Sequence, residues 1–185
     1  MEVLVKLVRA ALLAAVAATA ALGASAQTSP AGPYVVAALG RTNYDYDCWF
    51  LAACDNARAT AGKIGGGWRF GVFAVEGWWI DYGNAPTQRR HEELHMRSLG
   101  LNAAWYLRLG SSVEGLLRAG AADVRHARSG DGEKRSLNAT FGLGLVVDVA
   151  PSAALELAWD VTGADGNNSG STLANSLSLG LRLRF

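Results

Sequence analysis

The sequence contains little proline, little cysteine and little charge. Only 4 of its 185 residues are proline and 2 are cysteine, and charged residues make up 18% of the chain although 50% of it is hydrophobic. A disordered chain would have fewer apolar residues, and a chain that binds nucleic acid would have an excess of basic ones. Here 17 lysines and arginines stand against 16 acidic residues, so the composition excludes both classes.

The N-terminus has the features of a secretory signal peptide. Lys6 and Arg9 precede an apolar stretch that ends in the small residues at 24–26, which is the pattern of a cleaved export signal. We therefore expect a signal peptide over residues 1–26 and a mature domain over residues 27–185. Removal of the signal leaves equal numbers of basic and acidic side chains, so net charge predicts no nucleic acid or other polyanionic partner.

The mature chain also lacks a long apolar run. A membrane-spanning helix needs roughly 18 apolar residues or more, and the longest candidate, at 143–149, is interrupted by Asp148. We therefore expect that export does not end at a helical anchor in the inner membrane.

The C-terminal segment 175–185 alternates apolar and polar residues without a break. Its apolar positions are Leu177, Leu179, Leu181, Leu183 and Phe185. This alternation predicts a β-strand with one apolar face. A strand of about ten residues is longer than the five or six that are usual in soluble sheets and suits a membrane barrel.

The same alternation recurs upstream and predicts eight strands in all. They cover residues 34–42, 60–70, 72–81, 99–107, 113–124, 137–147, 155–162 and 175–185. Short turns between them alternate with long polar segments at 45–59, 82–93, 125–133 and 163–172. Short periplasmic turns and long outer loops are typical of outer-membrane barrels. We therefore expect an all-β fold, an eight-stranded antiparallel up-and-down transmembrane β-barrel, with a periplasmic β-sandwich as the alternative.

Aromatic residues are expected to form the two interfacial girdles of such a barrel. The expected periplasmic girdle consists of Tyr34, Phe70, Phe73, Trp105 and Phe185. The expected outer girdle consists of Trp79, Tyr82 and Trp159.

Four short motifs carry a family resemblance. They are PYVVAALGR at 33–41, YDYDC at 44–48 followed by CD at 54–55, KIGGGWRF at 63–70 and AVEGWWIDYG at 74–83. Together they resemble the eight-stranded barrel domain of the outer membrane protein A family, over essentially the whole mature chain. Because the sequence ends with the eighth strand, we expect no peptidoglycan-binding domain.

The resemblance implies a location and a set of partners. The location is the outer membrane of a Gram-negative bacterium, and the partners are its lipid and lipopolysaccharide. The terminal Phe185 and the leucines at alternate positions before it are similar to the family's assembly signal, which the outer-membrane insertion machinery reads.

Charged residues at inward positions are expected to form an ionic network in the lumen. They are Lys63, Glu76, Glu114, Arg118, Glu156 and Arg182, with Glu114 and Arg182 nearer the rim. An eight-stranded barrel has room inside only for side chains, and an unpaired buried charge is costly, so we expect Arg118 to pair with Glu76 and Glu156. The resemblance associates such a network with gating of a narrow conductance. We favour the alternative that it holds the barrel shut.

The segment His91-Glu92-Glu93-Leu94-His95 matches the zinc-protease motif H-E-x-x-H, with Glu114 as a candidate third ligand. The chemistry requires a helix that places both histidines on one face. The segment shows no helical apolar period and lies just before the fourth predicted strand. We therefore expect no catalytic metal and no cofactor, and a metal site at the surface formed by His91 and His95 stays open.

The size of the chain also suggests a barrel that modifies lipid A. Lipid A deacylases use a His-x-Ser pair, whereas His126 and Ser129 are separated by two residues. We therefore expect no enzyme. The expected function is structural support of the envelope or surface interaction, with Trp49, Phe50 and Leu51 as an adhesin-like surface for an unknown ligand. A narrow ion-conducting pore is the alternative.

Cys48 and Cys54 are expected to form a disulfide in the first outer loop. Both follow the signal peptide and so reach an oxidising compartment, and a zinc site would need further ligands nearby. Because the closed loop is short, the bond should stabilise the fold by about 3 kcal/mol or less. Mass spectrometry after alkylation of the unreduced protein should find both thiols unmodified, and modification of both would contradict the pairing.

Overall fold

The computed structural model describes residues 31–46, 56–86, 93–128, 132–166 and 170–185. These residues form eight strands: β1 (Gly32–Tyr46), β2 (Asn56–Phe70), β3 (Phe73–Pro86), β4 (Glu93–Arg108), β5 (Val113–Arg128), β6 (Gly132–Ala150), β7 (Ala153–Gly166) and β8 (Gly170–Arg184). No helix long and apolar enough to cross a membrane occurs in these ranges.

The eight strands close into one antiparallel barrel. Each strand pairs with its neighbours in the chain, and β1 pairs with β8 from Tyr34 opposite Arg184 to Tyr46 opposite Thr172. Closure gives every strand two hydrogen-bonded neighbours, so no strand edge is left unpaired in lipid. The predicted up-and-down barrel is confirmed, as are the short turns at 71–72, 109–112 and 151–152.

The two faces of the barrel wall are the reverse of those in a soluble protein. Outward side chains such as Leu39 and Leu137 are apolar and exposed, with 72% and 76% of their surface accessible. Inward side chains such as Val36 and Leu116 are buried. A continuous band of exposed apolar residues is the face that a barrel presents to lipid acyl chains.

The girdle prediction is wrong for two tyrosines. Tyr34 and Tyr82 point into the lumen and are 4% and 0% exposed. Tyr34 lies two positions before inward Val36, and Tyr82 lies six positions after inward Glu76. Side chains an even number of positions apart share one face of a strand, so both tyrosines face away from lipid. The outward aromatic pair Phe73 and Trp105 does stack at the periplasmic end, with ring centroids 5.3 Å apart.

Two of the predicted outer loops are largely strand. β5 and β6 pair as far as Arg128 opposite Gly132, and β7 and β8 pair as far as Gly166 opposite Gly170. The segments 125–133 and 163–172 therefore belong mostly to the barrel wall. Beyond the membrane both faces of a strand meet polar surroundings, so the apolar alternation disappears although the backbone ladder continues.

Several predicted features lie outside the described residues. They are the signal peptide at 1–26, Cys48 and Cys54, the apolar group Trp49, Phe50 and Leu51, His91, and Ser129.

The terminal Phe185 offers a test of the assembly signal. Its side chain is 77% exposed on the lipid-facing side, and its backbone N–H donates to the Pro33 carbonyl at 3.1 Å. Deletion of Phe185 should lower the yield of inserted barrel in cells, measured as the heat-modifiable band on detergent electrophoresis. Phe73→Ala removes another exposed aromatic at the same end and is the control. Equal losses for both changes would show that the terminal position has no special role.

Candidate functional site in the barrel lumen

Six charged side chains from five strands meet in the middle of the lumen. This central network consists of Lys63 on β2, Glu76 on β3, Arg118 on β5, Glu156 and Asp160 on β7, and Arg182 on β8. Each of them is 6% exposed or less. The strand pleat places them inward, because each is separated by an even number of positions from other inward residues of its strand.

Small residues beside the network make room for it. Gly142 lies opposite Arg118 and Asp160, and a Cβ atom there would be 2.6 Å from an Asp160 carboxylate oxygen. Gly67 lies opposite Glu76, and a Cβ atom there would be 2.9 Å from the Tyr34 hydroxyl. Small barrels often alternate small and large inward residues for this reason.

Arg118 connects carboxylates from opposite sides of the barrel. Its Nε donates to Glu76 at 2.5 Å, and its Nη2 donates to Glu156 at 2.6 Å. Its Nη1 lies 3.7 Å from the nearer Asp160 oxygen. The guanidinium fork can serve several acceptors at once because its donors point in different directions within one plane. A single side chain therefore ties β5 to β3 and β7 across the lumen.

Arg182 is the second cation that the two glutamates share. Its Nη2 donates to Glu156 at 2.5 Å and lies 3.5 Å from Glu76. Its Nη1 donates to the Tyr106 hydroxyl, and its guanidinium carbon lies 4.1 Å above the Tyr34 ring. Arg182 also lines a cavity at the periplasmic rim together with Arg184 and Phe185. Its side chain therefore reaches from the rim into the central network.

The pair formed by Lys63 and Asp160 completes the network. Lys63 Nζ donates to Asp160 at 2.6 Å. Three cations, Lys63, Arg118 and Arg182, thus face three carboxylates, Glu76, Glu156 and Asp160. Balance of this kind is needed in a site without bulk water, because an unpaired charge there loses its solvation without compensation. Sequence reasoning placed Asp160 on the inner face of its strand but did not include it among the charged partners.

Two tyrosines add hydrogen bonds that sequence reasoning missed. The Tyr34 and Tyr106 hydroxyls donate to the same Glu76 oxygen at 2.5 and 3.1 Å. The parity of Tyr34 with Val36 was the signal that identifies it as a lumen residue. Glu76 is therefore held by two phenols in addition to its arginine partners.

An apolar plug closes the lumen on the outer side of the central network. This outer plug consists of Tyr44, Trp78, Ile80, Tyr82, Ala85, Met96, Ala122, Val124 and Ala174, each 5% exposed or less. The Tyr82 hydroxyl donates to Thr162 at 2.9 Å, so its polar end is satisfied within the plug.

Two further ion pairs lie at the periplasmic rim. Arg69 forms a bidentate salt bridge with Glu114, with N–O distances of 2.7 and 2.8 Å. Its guanidinium carbon lies 4.0 Å above the Tyr106 ring. Arg184 pairs with Asp148 at 2.6 Å. Glu114 is thus at the rim, as expected from the sequence, but Arg69 is its partner.

The H-E-x-x-H segment has no helix in the part that the structure describes. Glu93 begins β4, and His95 follows within the same strand. The His95 Nε2 lies 3.0 Å from an Asp81 oxygen, near the outer end, whereas Glu114 is at the periplasmic rim. The described residues contain no cluster of three metal-ligating side chains.

The central network can be tested by removal of its shared cation. Arg118→Ala leaves three carboxylates with two cations and should lower the free energy of unfolding by about 3–5 kcal/mol. Thermal unfolding in detergent measures the loss. Arg118→Ala combined with Glu76→Gln restores the charge balance and should recover part of the stability. If Arg118→Ala unfolds at the wild-type temperature, the network does not stabilise the barrel.

Comparisons with known proteins agree with this architecture. A family model described as the outer membrane protein beta-barrel domain matches residues 10–185. A search of curated proteins found no match.

Solved structures with the same fold have little sequence in common with the chain. Neisserial surface protein A has a TM-score of 0.66 and 18% identity, over 85% of this chain and 100% of that one. The N-terminal barrel domain of OprF from Pseudomonas aeruginosa has a TM-score of 0.54 and 14% identity, over 84% and 100%. OprG from the same organism has a TM-score of 0.54 and 11% identity, over 87% and 99%. These similarities are in the fold.

Proposed function

The chain belongs to the outer membrane protein beta-barrel domain family. On this premise, we propose that it is a closed, non-enzymatic barrel. It supports the envelope or interacts with ligands at the cell surface. Its location is the outer membrane of a Gram-negative bacterium. The closed lumen is the observation that carries the proposal. The partners proposed with it are the surrounding lipid, including lipopolysaccharide, the insertion machinery and a surface ligand.

The lumen beside the central network is almost completely filled. A cavity of about 10 Å³ lies between Lys63, Glu76, Trp78 and Arg118, which is room for about one water molecule. The Arg118 Nη1 has no hydrogen-bond partner among the described residues. Beside the network, the described residues leave room for single water molecules rather than a water column, which supports the closed barrel over the pore.

The outer ends of the strands support a role at the cell surface. β6 has 19 residues and β5 has 16, whereas about 9–11 residues are enough to cross a membrane. The additional residues extend the wall beyond the outer leaflet. Outward ion pairs lie toward this end of the barrel, such as Asp81 with Arg97 at 3.0 Å and Asp123 with Arg135 at 2.5 Å. The extended wall supplies a rigid polar surface for contacts with other molecules.

The candidate catalytic groups support a non-enzymatic role because they pair with other side chains at separate ends of the barrel. Glu114 pairs with Arg69 at the periplasmic rim, and His95 contacts Asp81 near the outer end. A metalloprotease would need these groups on one ion. His126 lies in β5, within the barrel wall.

Conductance in planar bilayers tests the proposal against the narrow pore. The refolded wild type should show no steady conductance. Arg118→Ala should conduct, because unpaired carboxylates in the lumen draw in water, and Arg118→Ala with Glu76→Gln should conduct less. Arg97→Ala removes an arginine that faces outward and is the matched control. This variant should show no conductance. Steady conductance by the wild type would overturn the closed lumen and establish the pore.

A further inference from the structure

We propose that the outer surface of β8, β1 and β2 binds a phosphate-bearing glycolipid of the outer leaflet. One acyl chain would lie in a groove on the barrel wall, and the phosphate would lie against Arg41 and Arg58. This inference concerns the lipid-facing surface and does not depend on whether the lumen is closed.

The groove is formed by one small residue within a row of large ones. Leu155, Leu181, Ala37, Ile64 and Trp79 lie side by side on five consecutive strands, as their pairings show. All of them face lipid, and Ala37 in the centre is by far the smallest of the five. The large side chains on both sides of Ala37 therefore leave a groove above its small side chain. A groove of this shape accepts one acyl chain.

The groove continues toward the outer end of the barrel. In the next row Gly62 lies opposite Leu39, and a Cβ atom at Gly62 would meet nothing within 4 Å. Leu39 is 72% exposed because its neighbour has no side chain. These residues, with Leu179 and Leu181, line a cavity of about 510 Å³ that opens to the lipid. A groove open to lipid with apolar walls suits a hydrocarbon chain.

Two arginines lie at the outer end of this groove. Arg41 follows Leu39 on the same face of β1, and Arg58 precedes Gly62 on the same face of β2. Arg41 lies opposite Thr60 and Arg58 opposite Asn43, so the arginines are diagonal neighbours on paired strands, about 7–8 Å apart at Cα. Four residues of strand separate Ala37 from Arg41, or about 13 Å at the usual rise.

These two arginines differ from the other outward arginines near the outer end. Neither Arg41 nor Arg58 forms a hydrogen bond or ion pair with a residue that the structure describes. Arg97, Arg125 and Arg135 each have a carboxylate within 4 Å. Two adjacent arginines without carboxylates are an anion site, because each guanidinium can donate two parallel hydrogen bonds to a phosphate.

A carboxylate on the neighbouring strand is already paired elsewhere. Asp81 lies opposite Gly62 on β3. Its oxygens are already occupied by Arg97 at 3.0 Å, by His95 at 3.0 Å and by the Gly83 N–H at 2.9 Å. Among the described side chains, Asp81 therefore does not neutralise Arg41 or Arg58.

The position of the arginines selects the outer-leaflet lipid. The short turns and the ends of β1 and β8 mark the periplasmic end, and Arg41 and Arg58 lie at the opposite end of their strands. A phospholipid of the inner leaflet would have its phosphate at the periplasmic end. A phosphorylated glycolipid of the outer leaflet places its phosphates at the level of the arginines and its chains in the groove.

Native mass spectrometry of the full chain in detergent tests the site. The probes are lipid A with two phosphates, the same lipid A with both phosphates removed, and phosphatidylglycerol. The wild type should bind diphosphorylated lipid A about tenfold more tightly than either comparison lipid. Arg41→Gln with Arg58→Gln should lower that affinity to the level of the dephosphorylated lipid. Gly62→Leu adds a side chain in the groove, where its Cβ atom meets nothing within 4 Å, and should weaken binding of both forms of lipid A.

Matched controls come from the opposite wall. Arg125→Gln removes an outward arginine and Ala139→Leu adds bulk to the lipid-facing side of β6, and both should bind like the wild type. All variants must first give the heat-modifiable folded band. The proposal is overturned if the double arginine variant retains wild-type affinity, if the controls lose as much, or if phosphatidylglycerol binds as tightly as lipid A.

Discussion

Satisfaction of backbone hydrogen bonds in lipid is the constraint on which the rest of this structure depends. A strand edge exposed to hydrocarbon leaves N–H and C=O groups unpaired, and the β1–β8 ladder removes the last two edges. Closure in turn fixes the direction of every side chain, because neighbours on a strand point to opposite faces. One face must then suit acyl chains, and the other must fill a narrow lumen.

The narrow lumen explains why its charges are so closely matched. Because the space beside the network has room for about one water molecule, each ion relies on protein partners, and Arg118 and Arg182 serve Glu76 and Glu156 together. Removal of one partner would leave the others uncompensated, so the network behaves as a unit. The apolar outer plug lies beside the network, and both support the closed barrel proposed above.

The two ends of the barrel have different chemistry on the outside. At the periplasmic end the exposed surface carries aromatic residues such as Phe73 and Phe185. At the outer end it carries paired charges. On β1 and β2 it carries Arg41 and Arg58 beyond an apolar groove, without an ion pair to a described residue. The wall is therefore matched both to lipid chains and to the charged groups at the membrane surface, which is where the proposed functions lie.

The sequence by itself determined the eight strands, their order and the inward position of Glu76, Arg118 and Glu156, because a period of two is local information that each strand carries alone. Only the tertiary structure decided that the Arg182 side chain contacts Glu156 and Tyr106, because residues from separate strands become neighbours through the closed ring. The same holds for the outer extension of the strands, where alternation fades but the ladder continues. The groove at Ala37 also required the closed barrel, because residues from five strands become neighbours only through lateral pairing.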